Sequence, residues 1–232
     1  MSSRKAEQRR IKEEKQGAAR RREQLLGRLL KVGVGLAALL IIVVLVQGLG
    51  SSAQAPAPAV VAASDHVRGN PGAPVTLTVY GDFQCPACRI GEDLIANSWR
   101  QIGDRVQLVF RHYPLGQHRH AFLAARYAEA AARQGRFWEM HDQLYAQQDM
   151  WSTLPSVDNV FSGYARDLGL DMDQFAADLD STAIRDKIVT DQRGGTRAGV
   201  RGTPSFFING RLIPTPRTVP ELVTLVNQAQ GN

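Results

Sequence analysis

The most continuous apolar stretch of the chain runs from Val32 to Val46 and contains no charged or polar side chain. Continued to Gly50, it covers residues 32–50, close to the length of about 20 residues that a helix needs to cross a bilayer. A helix buried in a protein core is the alternative, but such a helix rarely has to be apolar on every side. We therefore interpret residues 32–50 as a transmembrane helix.

The segments on either side of this stretch predict its orientation. Residues 1–31 contain eleven Lys and Arg against four Glu, a balance of +7, and a basic flank normally stays in the cytoplasm. Ala53-Gln54-Ala55 has the shape of a signal-peptide cleavage site, so a cleaved signal peptide is the alternative. The long basic tail and Pro56 directly after that site favour an uncleaved signal anchor. We expect a single-pass protein of the cell membrane with a cytoplasmic N-terminus and an extracytoplasmic domain.

The rest of the chain divides into a linker and one folded domain. Residues 51–65 are rich in alanine and proline and predict an extended tether, and residues 66–232 carry the periodic patterns of a fold. Val75–Tyr80 alternates apolar side chains with threonine, which is typical of a strand. Pro86–Trp99 has helical spacing, and Val106–His112 is a second strand-like run. These three segments predict a βαβ unit with parallel strands.

A helical insertion of about residues 116–182 follows this unit, and one more helix comes after it. Asp171 and Ser181 are suited to cap the helices that begin after them, because their side chains accept hydrogen bonds from free backbone N–H groups. The predicted helices cover residues 121–135, 136–148, 157–168, 171–179 and 182–198.

A short hairpin and a last helix complete the domain. Pro204 opens an apolar strand, and Asn209-Gly210 is a strong hairpin turn signal before the returning strand Arg211–Ile213. Val219–Ala229 has the pattern of an amphipathic helix. The order βαβ, helical insertion, ββα predicts an α/β fold.

Charge and histidine placement exclude some functions. The whole chain carries +6, so residues 32–232 sum to about −1, which gives no reason to expect nucleic-acid binding. His118 and His120 lack a convincing zinc spacing and are expected to be exposed at a helix start, whereas His141 is expected to be packed. We expect no metal site and no bound cofactor.

The two cysteines are the strongest chemical signal. Cys85 and Cys88 are the only cysteines, and they follow a strand and open a helix. Positive potential at a helix N-terminus favours a thiolate, and the spacing lets the two sulfurs form a disulfide. A bridge over so short a loop stabilises the fold very little. The pattern therefore predicts a redox-active pair; a structural zinc site needs more ligands than this pair supplies.

Four segments resemble the exported, DsbA-like disulfide oxidoreductases of the thioredoxin superfamily, in their membrane-anchored branch. The resemblance covers about residues 66–229. The matching segments are Asp82–Cys88 (Asp-Phe-Gln-Cys-Pro-Ala-Cys), Phe110–Leu115 (Phe-Arg-His-Tyr-Pro-Leu), Gly135–Leu144 with its Phe-Trp-Glu-Met-His core, and Gly199–Gly210 with Gly-Thr-Pro.

This resemblance implies a thioredoxin-like fold with a helical insertion and a role for each motif. Cys85 is then the exposed nucleophile and Cys88 the buried resolving thiol. Pro204 is expected to follow a cis peptide bond, with Thr203 beside the pair, and that loop is expected to hold the substrate peptide. The expected substrates are reduced exported polypeptides, and the expected reoxidant is a quinone-linked thiol oxidase of the membrane.

Departures from the family pattern leave the direction of the reaction open. Many strongly oxidising relatives have a histidine between the two cysteines, whereas this chain has Pro86-Ala87 there. Val79 stands where several relatives have a buried carboxylate. Asp82 is the nearest candidate by sequence to help proton transfer at Cys88. A disulfide isomerase or reductase on the same fold is the alternative, and a non-catalytic anchored binding or chaperone module is a further one.

Overall fold

The computed structural model describes residues 61–231. The predicted basic tail, the predicted transmembrane helix and residues 51–60 of the predicted linker lie outside this range. Among the helices that lie within it, none has both the length and the apolar character of a membrane span.

A mixed sheet is the centre of the described domain. Its strands are β1 (His66–Gly69), β2 (Val75–Gly81), β3 (Val106–His112), β4 (Ser205–Ile208) and β5 (Arg211–Ile213), in the spatial order β1-β3-β2-β4-β5. Strands β2 and β3 are parallel, whereas the other neighbouring pairs are antiparallel. Both central strands are almost fully buried, as expected for strands covered on two faces.

Helices cover both faces of the sheet. The crossover helix α1 (Pro86–Ile102) leads through a short 3₁₀ turn into β3, and with the last helix α8 (Val219–Gln230) it packs on one face. Leu77 and Val79 point into this layer. Tyr80 points to the other face, where a longer side chain at Gly195 would collide with its ring. The alternation along β2 thus fills two cores, as the pleat of a strand requires.

The helical insertion forms a second core beside the sheet. Its helices are α2 (Ala121–Ala132), α3 (Phe137–Ala146), α4 (Gln148–Trp151), α5 (Asp158–Asp167) and α6 (Met172–Leu179), and α7 (Thr182–Arg197) leads back to the sheet. Trp151, Phe161 and Phe175 are completely or almost completely buried there. The same apolar cluster contains Cys85 and Cys88, so the insertion and the cysteine pair share one core.

The structure confirms most of the predicted elements and corrects two. Asp171 and Ser181 accept hydrogen bonds from the backbone N–H groups of the helices that follow them, as predicted. The hairpin turn at Asn209 and Gly210 has positive φ angles of 48° and 78°. Strand β1 was not predicted, because its four half-exposed residues lack alternation and are held as an edge strand by β3. The predicted helix over residues 136–148 ends at residue 146, and α4 starts separately.

Candidate active site

The cysteine pair lies where β2 ends and α1 begins. Cys85 is the N-cap of α1, with an extended backbone (φ −76°, ψ 120°), and Pro86 occupies the first turn. Pro is favoured there because a backbone N–H in the first turn has no hydrogen-bond partner within the helix, so its absence in Pro costs nothing. The backbone N–H groups of Cys88 and Arg89 donate to the Cys85 carbonyl at 3.0 and 3.3 Å. This turn fixes both sulfurs at the same end of the helix.

The Cys85 sulfur lies in surroundings that favour the thiolate. A hydrogen bond from the Cys88 thiol contributes most, and hydrogen bonding with Thr203 and with the backbone N–H groups of Cys88 and Ala87 adds to it. Although burial opposes ionisation, the pKa of Cys85 falls to about 5. The side chain is 7% exposed, so Cys85 is buried in this structure and not exposed as the resemblance implies.

The surroundings of the Cys88 sulfur favour the protonated thiol instead of the thiolate. It is 2% exposed, and burial, reinforced by the nearby Cys85, raises the pKa of Cys88 well above the usual thiol range. The backbone N–H of Asp82 donates to this sulfur at 3.4 Å. Both cysteines are in the free dithiol form. One sulfur is therefore a ready nucleophile, and the other carries a proton that it does not easily lose.

The loop before β4 forms the wall opposite Cys85. The Thr203–Pro204 peptide bond is cis, as the resemblance implies, and the Thr203 carbonyl accepts a hydrogen bond from the Cys85 thiol at 3.4 Å. Gly91 of α1 packs against this wall, since a Cβ atom there would lie 3.4 Å from the Pro204 ring. Pro86 and Ala87 are exposed beside it. All the residues predicted for the site except Asp82 thus surround the Cys85 sulfur.

Asp82 lies beneath the pair, and its carboxylate is turned toward the loops. The carboxylate accepts hydrogen bonds from the backbone N–H groups of Gln84 and Leu115 and from His118 Nδ1, at 2.7, 2.8 and 2.7 Å. Its contact with Cys88 is made through the backbone N–H. The side chain therefore acts in this geometry mainly as an anchor for the loop that carries Cys85.

Sequence reasoning missed the glutamines that attach the insertion to this loop. Gln148 Nε2 donates to the carbonyls of Phe83 and Cys85 at 2.7 and 3.0 Å. Gln84 donates to the Ser152 carbonyl and accepts from the His120 backbone N–H. No local pattern distinguishes these glutamines from surface residues, because their partners are backbone groups far away in the sequence.

The histidine expectations were partly wrong. His120 is buried, not exposed, because its ring donates to the Leu154 carbonyl at 2.7 Å. The expected packing of His141 is confirmed, since it is 1% exposed.

Within residues 61–231 one cluster has side chains of the kinds that can hold a metal, namely His66, His112 and Glu129. The Glu129 carboxylate accepts from the two rings at 2.7 and 2.8 Å, which are hydrogen-bond distances.

Comparisons with known proteins agree with this fold. A family model described as Thioredoxin matches residues 62–228. A thioredoxin-like oxidoreductase from Silicibacter pomeroyi is 26% identical with a TM-score of 0.63, and the match covers 74% of this chain and 95% of that one. BdbD from Bacillus subtilis is 20% identical with a TM-score of 0.63, and the match covers 72% of this chain and 94% of BdbD. The protein alpha-DsbA1 from Wolbachia pipientis is also 20% identical with a TM-score of 0.63, and the match covers 74% of this chain and 94% of that one.

The curated relatives are much longer proteins. The protein named Na(+)/H(+) antiporter NhaA 1 in Mycolicibacterium gilvum is 37% identical over 172 residues, which are 72% of this chain and 27% of that protein. The protein of the same name in Salinispora arenicola is 43% identical over 148 residues, which are 63% of this chain and 22% of that protein. The chain thus spans about a quarter of the length of these relatives. Because the family match covers nearly all of the described domain, the chain belongs to the thioredoxin family, and its structural neighbours are DsbA-like thiol–disulfide oxidoreductases.

Proposed function

We propose that the protein is a membrane-anchored, extracytoplasmic oxidoreductase that forms disulfides in exported proteins through Cys85 and Cys88. The observation that carries this proposal is the difference between the two sulfurs. Cys85 has a pKa of about 5, and Cys88 is buried with a raised pKa. A stabilised thiolate is a good leaving group and favours the reduced form of the enzyme, which makes its disulfide a better oxidant.

The reaction starts from the Cys85–Cys88 disulfide. A substrate thiolate attacks Cys85 Sγ, the bond between the two enzyme sulfurs breaks, and Cys88 leaves and takes up a proton. A second substrate thiolate then attacks the substrate sulfur of the mixed disulfide, and Cys85 leaves as its stabilised thiolate. The substrate loses two electrons and the enzyme gains them. A quinone-linked thiol oxidase of the membrane would take these electrons and restore the disulfide.

Exposed apolar residues near Cys85 in the chain and on α4 support a polypeptide as the substrate. Pro86 and Ala87, which follow Cys85 directly, are exposed. Ile90 on α1 and Met150 on α4, two residues after Gln148, are 64% and 69% exposed. Clusters of exposed apolar side chains commonly mark protein interaction sites. The cis-proline loop adds backbone groups with which an extended peptide can pair.

The deciding experiment follows the oxidation of a reduced test protein by the full-length protein in its disulfide form. We expect the parent to introduce the disulfide, whereas Cys85→Ser and Cys88→Ala, neither of which can form the Cys85–Cys88 disulfide, should both be inactive. Equal oxidation by the parent and by Cys85→Ser would refute the proposal. The equilibrium with glutathione separates the alternatives, since a potential of about −120 to −180 mV fits an oxidase or isomerase and about −270 mV a reductase.

The location is tested separately, because it rests on residues 1–50 of the sequence. We expect the full-length protein to remain in membranes after alkaline carbonate extraction. Protease added outside intact spheroplasts should degrade the domain that carries Cys85. Recovery of the full-length protein in the soluble fraction would contradict the anchor, and protection from the external protease would contradict the orientation.

A further inference from the structure

Cys88 must exchange a proton during every turnover. Its sulfur is buried and its pKa is raised, so a thiolate there is costly both as a leaving group and as a nucleophile. Val79, which lies in the separate apolar layer between the sheet and α1, is apolar and cannot carry the proton. The Asp82 carboxylate is already held by three donors. The proton therefore needs a path through other groups.

A cavity of about 480 Å³ beside α1 offers such a path. Its wall combines apolar side chains, among them Ile95 and Trp99, with Glu92, His141 and Tyr145. The Tyr145 hydroxyl and His141 Nε2 are buried and have no hydrogen-bond partner among the described residues. Buried polar atoms without a partner are costly unless water reaches them, so both atoms favour ordered water in this cavity.

The inner end of the cavity lies close to Cys88. A Cβ atom on Gly81 would come within 2.9 Å of the Tyr145 hydroxyl, and the N–H of the next residue, Asp82, donates to Cys88 Sγ. Cys88 is also, after burial, the strongest influence that raises the pKa of Tyr145. The Tyr145 hydroxyl is thus next to the backbone that contacts the Cys88 sulfur.

The outer end of the cavity reaches solvent through Glu92. This residue follows Cys88 by one helical turn, so both side chains lie on the same face of α1. Its carboxylate is 16% exposed and lies 3.8 Å from His141 Nε2. Burial lowers the pKa of His141, but the carboxylates of Glu92 and Asp142 outweigh this effect and raise it. His141 is therefore suited to hold Glu92 in place.

We propose that this cavity is the proton path of Cys88, in which Tyr145 and Glu92, bridged by water, carry the proton and His141 positions Glu92. The proposal rests on the proposed function and adds the residues that serve its buried sulfur. During resolution of a mixed disulfide, the Cys88 proton passes by way of water and the Tyr145 hydroxyl to Glu92 and then to solvent. The Cys88 thiolate attacks Cys85 Sγ, and the departing thiolate takes a proton from solvent. Oxidation of a substrate reverses these transfers.

Other charged groups face the same path and set the background of its pH dependence. Arg68, Asp93 and Asp142 line the cavity wall with the proposed residues. Cys85 and Asp82 are close enough to contribute to the raised pKa of Tyr145. A test must therefore separate the proton path from a general change in electrostatics.

The test uses the reduced full-length protein and oxidised glutathione as the probe, with rapid acid quenching. In the first step Cys85 forms a mixed disulfide with glutathione, and in the second Cys88 releases glutathione. We expect Tyr145→Phe and Glu92→Gln to slow the second step about tenfold or more at neutral pH and to leave the first step within about twofold. The deficit of Tyr145→Phe should shrink as the pH rises, because hydroxide then replaces the relay.

Tyr127→Phe is the matched control, since its hydroxyl contacts Ser162 inside the insertion, away from the pair. It should leave both steps unchanged. A second step as fast in Tyr145→Phe and Glu92→Gln as in the parent would overturn the proton path. Equal slowing of both steps, or a deficit that does not depend on pH, would also overturn it, because it would indicate a structural role. If the parent itself forms no mixed disulfide, the proposed function fails instead.

Discussion

At the scale of single residues, the two sulfurs differ through their surroundings and not through their chemistry. Cys85 receives hydrogen bonds at the end of a helix, whereas Cys88 lies one turn further in, among apolar side chains. The two states are coupled, because the largest contribution to the low pKa of Cys85 is the hydrogen bond from Cys88. A thiolate at Cys85 is therefore favoured while Cys88 keeps its proton.

This coupling predicts the reactivity of Cys85 in the reduced protein. The rate of alkylation by iodoacetamide should rise with pH around a midpoint of about 5 and reach a plateau before neutral pH. Cys88→Ala removes the main donor and should move the midpoint upward. Cys88→Ser keeps an O–H donor at the same place and should leave the midpoint closer to that of the parent. Identical midpoints in the Ala and Ser variants would contradict the assigned cause.

At the scale of secondary structure, the sequence predicts elements with strong periodicity and misses those that depend on distant partners. Strand β3 and the start of α1 were predicted at their observed residues, because buried alternation and a Pro after the cap are local signals. Strand β1 exists because β3 offers it an edge. Of the site, the cysteines and the cis-proline loop were recognisable as motifs. The contacts of Gln148 were not, since they join groups 63 and 65 residues apart.

The most connected of these unpredicted contacts joins three elements. Glu129 of α2 accepts hydrogen bonds from His66 of β1 and His112 of β3, and its pKa is lowered by these contacts despite the opposing effect of burial. Such a carboxylate ties the edge strand and the insertion to the centre of the sheet. Its loss leaves the buried His112 ring and the partly buried His66 ring without this acceptor.

We therefore expect Glu129→Ala to lower the free energy of unfolding by about 3 kcal/mol, because two ring donors lose their hydrogen-bond acceptor inside the fold. Urea unfolding followed by circular dichroism provides the measurement. Glu139→Ala is the control, because the Glu139 side chain is exposed and, among the described residues, forms its salt bridge with Arg136 three residues away, and its effect should stay within about 0.5 kcal/mol. A Glu129→Ala protein as stable as this control would show that the three elements hold together without the cluster.

At the scale of the whole molecule, the thiolate of Cys85 links the redox state to stability. Formation of the disulfide removes the thiolate together with the hydrogen bonds that stabilise it. The disulfide itself stabilises the folded state very little, because it closes a loop of only a few residues in the unfolded chain. The rest of the fold is shared by both forms, so differences between them report on the cysteine pair.

This linkage predicts how the stability of the two forms depends on pH. The pKa of Cys85 is about 5 in the folded reduced protein and about 8.5 in the unfolded chain, so between these values unfolding takes up a proton. The stabilisation is complete above the unfolded pKa and is lost as the pH falls through the folded pKa. Cys88 keeps its proton in both states over most of this window. The free energy of unfolding of the reduced form, relative to the oxidised form, should therefore increase from pH 5 to pH 8.

Parallel urea titrations of the two forms measure this difference, and the contributions of titratable groups common to both forms cancel. In Cys85→Ala the thiolate is absent, so its curve should follow the pH dependence of the oxidised form. A reduced parent that shows no gain over the oxidised form across this window would mean that Cys85 is not a stabilised thiolate.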